Sequence, residues 1–147
     1  MILLDTNVLV YALNADAPQH PECLAVIQHC ATGAMPGVLV PQVVMECYAV
    51  ITSPGRFAHP THPESAWGIM RSLSGAIEVK PVPESLLDDL NGLVSRHQRR
   101  GQDIFDLALV AQMRSHGIRT ICTCNARDFD VAGIKAIEPA HALAVYA

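Results

Sequence analysis

Residues 1–10 read MILLDTNVLV, an apolar stretch interrupted at its fifth position by an ionisable carboxylate. Residues 1–5 have the length and apolar density of a strand buried on both faces, the kind found inside parallel sheets. A helical stretch through Tyr11 and Leu13 follows. Asp5 then ends the first strand, and two readings stay open for it. Asp-Thr-Asn is a good N-terminal cap for the next helix, because a short side-chain oxygen accepts from the helix's free N–H groups. A carboxylate at the carboxyl end of a parallel strand also lies where such sheets bind ligands.

The rest of the chain alternates in the same way. A second helix is predicted to begin near Asp16 and Pro18, to carry Cys23, Val26, Ile27 and Cys30 at helical spacing, and to stop at Gly33. GVLVP, 37–41, reads as a second strand and QVVMECYAVIT as the helix after it, before the turn-rich loop SPGRFAHP. Thr61 and Glu64 have capping-box spacing and open a helix to about Ser74, followed by a third strand over Ile77 to Val79. VPESLLDDLNGLVSRHQRR, 82–100, is an amphipathic helix with Leu86, Leu90, Leu93 and Val94 on one stripe, broken by Gly101. DIFDLALVAQMRSHG is another helix, ended by Gly117; IRTICT is a fourth strand, and the chain after NARDFD has room for at most one edge strand. Strands alternating with helices predict an α/β fold with a mostly parallel sheet covered on both faces.

At 147 residues, 50% hydrophobic and 16% charged, the chain has the content of one domain, 1–147, with a substantial core, and is no disordered or acidic solvating segment. Cys23, Cys30, Cys47, Cys122 and Cys124 form no C-x-x-C pair, which favours reduced thiols. Cys23 and Cys30 with His20 and His29 match no zinc-finger or ribbon spacing. No Lys or Arg precedes Arg56, as a secretory signal would require, and no apolar run reaches the roughly 18 residues of a membrane span, so a cytoplasmic protein is expected. The net charge of -4 argues against broad electrostatic binding of nucleic acid; a phosphate-rich ligand would need a metal or a small basic cluster.

Two more acids sit in apolar surroundings. Glu46 lies in VVMECYAVI, a helix apolar on most of its circumference, where an unpaired carboxylate would cost several kcal/mol. An arginine partner is one resolution. Asp106 repeats the anomaly in IFDLALVA, with Ile104, Leu107, Ala108 and Ala111 as core candidates, and Asp103 stands three positions earlier, either as an N-cap or on the same side of the helix. Asn125 and Asp128 follow the fourth strand. Three acids brought to one sheet edge would repel each other, and a divalent cation resolves that conflict, because clustered oxygen ligands suit Mg²⁺ or Mn²⁺.

Asp5 in LLDTNVLVYA, Glu46 in a mid-chain helix, Asp106 in FDLALVAQMRSHG and the run TICTCNARDF together resemble the ordered motifs of PIN-domain nucleases, and ITSPGRFAHP with PESAW resembles a segment of VapC-type toxins. The resemblance implies a three-layer α/β/α sandwich around a sheet of about four to five strands. It also implies endoribonuclease activity with Mg²⁺ or Mn²⁺ held by Asp5, Glu46 and Asp106. Asn125 stands where the fourth acid of the family usually falls, with Asp128 and Asp103 as supplementary ligands and Thr6, Asn7 and Thr123 as small polar residues of the site. It further implies a small cognate antitoxin and a homodimer, for which Leu24 and Ile27 are contact candidates.

RNA would be attracted by Arg96, Arg99, Arg100, Arg56 and Arg127, although the first three also read as a solvated helix end. With so few bases, unpaired nucleotides in structured RNA, such as tRNA or ribosomal RNA, are the expected target. Three alternatives compete. A phosphohydrolase using Asp5 as nucleophile would want an acid where Asn7 stands and a late lysine, for which only Lys80 and Lys135 are present. A phosphoacceptor receiver module would want an early acidic pair. A degenerate PIN domain that binds RNA or a partner without cutting is the third.

Overall fold

The computed structural model describes residues 1–131 and 133–146. Its sheet has five strands, β1 (Ile2–Leu4), β2 (Gly37–Leu39), β3 (Glu78–Val79), β4 (Thr120–Cys122) and β5 (Lys135–Ile137), in the order β3-β2-β1-β4-β5. All neighbouring pairs are parallel, with Ile2 opposite Gly37 on one side and Thr120 on the other. The helices are α1 (Thr6–Ala12), α2 (His20–Ala31), α3 (Pro41–Ile51), α4 (Pro63–Ala76), α5 (Leu86–His97), α6 (Ile104–Ser115) and α7 (Pro139–Tyr146). α5 packs against α6, whereas α1, α2, α3, α4 and α7 pack among themselves, so helices cover both faces and the α/β/α sandwich is three layers deep.

The central strand β1 is apolar and completely buried, Ile2, Leu3 and Leu4 each being 0% exposed, as a parallel strand covered on both faces must be. β2 packs tightly on α2: a Cβ on Gly37 would collide with the Cys30 sulfur and lie 2.9 Å from its Cβ, so only glycine fits there. The one edge strand after β4 is β5, and α7 follows it, an element with no counterpart in the sequence reading. Among the described residues, no helix is long and apolar enough to cross a membrane.

Several boundaries differ from the expected ones for local reasons. α2 starts at His20 rather than near Asp16, with residues 14–19 in turns and Pro21 in its first turn. The Thr61–Glu64 capping box does not form: α4 begins at Pro63 after His62, and the Thr61 N–H donates to the Ile51 carbonyl at 2.8 Å instead. α5 ends at His97, not Arg100, because Gln98 adopts a left-handed conformation (φ 52°), with its N–H on the Val94 carbonyl and its side chain on the Ser95 carbonyl. On its apolar stripe Leu93 is buried, Leu86 and Leu90 are partly buried, and Val94 is 36% exposed. Ile27 turns into the core at 8% exposure, which leaves the half-buried Leu24 as the surface residue of that anticipated dimer contact.

Candidate active site

From β1 the chain moves outward through β2 and β3 on one side, and through β4 and β5 on the other. At such a reversal the loops diverge and a crevice opens beyond the carboxyl ends of the strands. Asp5 and Thr123 are the residues immediately after β1 and β4. α3 starts at the same edge, directly after β2, and carries Glu46. α6 runs down into β4, so its first turn, with Asp106, also lies at that edge. An open cleft of about 590 Å³ there is lined by Asp5, Glu46, Asp103, Asp106, Asn125 and Asp128, with Thr6, Asn7, Arg56, Gln102 and Phe105, and with the apolar Val10, Tyr11, Ala49 and Val50.

The cap reading of Asp5 is realised, and the residue also lines the cleft. Its Oδ1 accepts from the Thr6 N–H at 2.7 Å as the cap of α1. Its Oδ2 accepts from Asn7 Nδ2 at 2.8 Å and from Thr123 Oγ1 at 2.7 Å. At 8% exposure, burial raises its pKa above the ordinary carboxyl value; the Thr123 and Thr6 hydrogen bonds oppose that shift, while the charges of Glu46 and Asp128 add to it. Thr123 is fully buried and central: its hydroxyl also accepts from Asn7 Nδ2 at 3.1 Å and from the Asn125 N–H at 3.0 Å. Asn7 Oδ1 in turn accepts from the Cys124 N–H at 3.1 Å, which ties the ends of β1 and β4 together. Thr123→Val keeps the shape and removes the hydroxyl, leaving buried donors unmet, so unfolding in urea is expected to show a loss of about 1–3 kcal/mol. An unchanged midpoint would mean that the hydroxyl does not hold this corner.

Glu46 is half-buried, not enclosed, because α3 leaves one side open: Met45 is 60% exposed and Ala49 is exposed. Neutral donors satisfy it where an arginine was the alternative. Oε2 accepts from Thr6 Oγ1 at 2.9 Å and Oε1 from Gln42 Nε2 at 2.8 Å. Gln42, one turn earlier, also donates to the Phe105 carbonyl at 2.9 Å and accepts from the buried Gln112 Nε2 at 3.0 Å. This amide chain joins α3 to α6.

Asp106 has its pKa pushed up to about 6, first by burial, then by the negative charges of Asp128 and Asp5, against the pull of Arg99, with Asp103 adding to the rise. Arg99 Nη1 lies 3.7 Å from Asp106 Oδ2, and the same nitrogen donates to the Asp128 carbonyl at 2.6 Å. The early end of α5 makes this possible, since Arg99 leaves the helix and turns inward. Of the other arginines, Arg56 lines the cleft, Arg127 lines an adjoining cavity of about 540 Å³ that shares Asn125 and Asp128, and Arg96 and Arg100 are exposed and line neither. Asp103 holds the N-cap position of α6, yet its side chain makes no capping hydrogen bond and faces the cleft.

Among the described residues, no group of three or more His, Cys, Asp or Glu side chains forms a ready-made coordination cage. The donor chemistry nevertheless fits a hard divalent cation: five carboxylates and the amides of Asn7, Gln102 and Asn125 line one cleft with oxygen ligands and no thiol or imidazole, and burial and mutual repulsion disfavour the charged forms of Asp5 and Asp106. The cysteines take no part in such a set. Cys23 Sγ faces Cys124 Sγ at 3.8 Å and Cys30 packs on Gly37.

The family described as PIN domain matches residues 2–135. The chain belongs to the PIN-domain family. Among its relatives, this PIN domain is 30% identical to ribonuclease VapC43 of Mycobacterium tuberculosis, covering 76% of this chain and 77% of that one. It is 25% identical to ribonuclease VapC24 of the same organism, over 93% and 94%. Of solved structures, VapBC2 from Rickettsia felis bound to a DNA fragment from their promoter superposes with a TM-score of 0.69 at 17% identity, covering 94% of this chain and 98% of that one.

The sequence reading of this PIN domain missed Gln42 and Gln112. A signal existed for both: Gln42 precedes Glu46 by four residues on one helix, and Gln112 is the lone amide in the apolar run LALVAQM. Exposure of Phe105 had no such signal, since it sits beside core positions in an apolar motif.

Proposed function

We propose that this chain, acting over 1–147 as one catalytic domain, is a divalent-metal-dependent endoribonuclease and the toxin half of a toxin–antitoxin pair. The observation that carries the reading is the convergence of Asp5, Glu46 and Asp106, with Asp128 and Asn125, on one open cleft at the switch point of the sheet. The names of the relatives, VapC ribonucleases, support the same activity. A divalent cation held there would supply charge neutralisation for a phosphodiester and would lower the pKa of an attacking water. Asp5, Asp106 and Glu46 are the residues to hold it. Thr123, Asn7 and Thr6 fix the orientation of Asp5, and Thr6 and Gln42 fix Glu46, so two of the three acids are positioned before substrate arrives.

Asn125 offers an amide oxygen in place of a fourth charge, with Asp128 beside it in the cleft to supply the missing negative charge. Arg56 in the cleft and Arg99 beside Asp106 are too few basic side chains for a long duplex, which favours RNA with unpaired loops. The likeness to VapBC2 supports a small antitoxin partner, and the family resemblance a homodimer. The phosphohydrolase reading has less support, since Lys80 is engaged with Glu78 at 2.6 Å and Lys135 lies on the edge strand β5. Purified protein incubated with structured RNA and Mg²⁺ or Mn²⁺ tests the proposal: metal-dependent endonucleolytic cutting supports it. Binding without cutting would favour the degenerate domain, and a phosphoenzyme would favour the covalent route.

A further inference from the structure

α6 buries an unbroken run from Leu107 to Met113, yet Phe105, one residue before Asp106, is 51% exposed. An aromatic ring left half in water gives up much of the roughly 1.5–3 kcal/mol that burial of a Phe side chain supplies. Phe105 lines the same cleft as Asp5, Glu46 and Asp106, and Tyr11 lines that cleft too. Its backbone is not loose: the Phe105 carbonyl and Glu46 Oε1 accept from the same Gln42 Nε2, which couples the ring's position to an acid of the site. The lining is rich in carboxylates and holds Arg56 as its one arginine among the described residues, so phosphate attraction alone holds RNA poorly there. Stacking of an unpaired base on an aromatic face is indifferent to that charge.

We propose that Phe105 is a stacking platform for an unpaired nucleobase next to the phosphodiester held over Asp106. The proposal rests on the ribonuclease reading and deepens it: the substrate class becomes RNA with an extruded or looped-out base at the cut. Of the cleft residues within three positions of Phe105 in the chain, Gln102, Asp103 and Asp106 are all polar. The apolar part of the lining, Val10, Tyr11, Ala49 and Val50, comes from α1 and α3, so Phe105 is set among polar chain neighbours, which suits a single flat base better than the continuous apolar patch a protein partner would need.

A substitution series with two readouts tests this. For cleavage of a short unpaired RNA, Phe105→Ala is expected to lower kcat/KM about 5- to 150-fold, the range for loss of one stacked base. Phe105→Trp and Phe105→Tyr should retain activity, and Phe105→Leu should resemble Phe105→Ala. In an Asp106→Asn background, where cleavage is slow enough for binding to be read first, 2-aminopurine in the same RNA should lose fluorescence on binding, and adding Phe105→Ala should abolish that loss. The proposal is overturned if Phe105→Leu matches the parent, if quenching survives Phe105→Ala, or if the substitution alters only association with a protein partner. The two readings fail separately: quenching that depends on the ring, in a parent protein that never cuts RNA, would sink the nuclease and keep the stacking site.

Discussion

Asp5→Asn and Asp106→Asn are each expected to lower metal-dependent RNA cleavage about 100- to 1000-fold, the loss typical when one preorganised electrostatic group is removed from a reacting centre. The two variants differ in what else they disturb. Asparagine caps a helix as well as aspartate, so Asp5→Asn can keep its oxygen on the Thr6 N–H. Its new amide then faces Asn7 Nδ2, a donor already oriented by the bond from the Cys124 N–H to Asn7 Oδ1, and a donor–donor clash of about 1 kcal/mol follows. Among the described residues Asp106 has no such network, and Arg99, which pairs with it, keeps the Asp128 carbonyl as partner. Asp106→Asn is thus the cleaner test. A fluorogenic RNA assay in Mn²⁺, with circular dichroism to establish folding, would read both; either variant retaining activity within about 3-fold of the parent would remove that acid from the proposed chemistry.

The second large effect is on stability. The Asp106 pKa is raised from 3.8 in the unfolded chain to about 6 in the folded one, so the folded protein holds an extra proton between those values. Stability from this group is fully present below pH 3.8 and is lost as pH rises through 6. Asp5, also raised, works in the same direction. Asp106→Asn is therefore expected to melt above the parent at pH 7.5 and to lose that advantage near pH 4. Addition of Mn²⁺ should close most of that gap at neutral pH. At a hundredfold excess over its dissociation constant, a ligand specific for the folded state stabilises by about 2.7 kcal/mol, or about 5–10 °C for a chain of this length. The gain should shrink at pH 5, where protons compete for the carboxylates, and vanish in Asp106→Asn. Equal Mn²⁺ shifts in parent and variant would place the ion elsewhere.

Much of this arrangement was legible in the sequence because the parallel sheet is written in continuous apolar runs. ILL, VL and IC stand out against their surroundings, and an acid at the end of the first of them has few places to be but the crevice. Asp106 was legible for the same reason, as a charge among LALVA. What stayed hidden depends on contacts between distant segments. Nothing local tells that Gln98 will go left-handed and release Arg99 toward Asp106. The Thr61–Glu64 spacing loses to a backbone hydrogen bond from Thr61 to Ile51, a tertiary contact that outweighs a local preference. Glu46 was expected to be enclosed, because periodicity counts apolar neighbours but not whether another layer covers them; Met45 and Ala49 remain open. Phe105 was hidden for the converse reason, a core-type residue that the fold leaves in the cleft.

Anomalous scattering from crystals grown with Mn²⁺ tests the shared-ion claim most directly. One peak within about 2–2.3 Å of carboxylate oxygens of both Asp5 and Asp106, with Glu46 bound to it directly or through one water, is the expected result. Ordered crystals at saturating Mn²⁺ with no peak in the cleft, or with Mn²⁺ only on acids outside it, would contradict the claim.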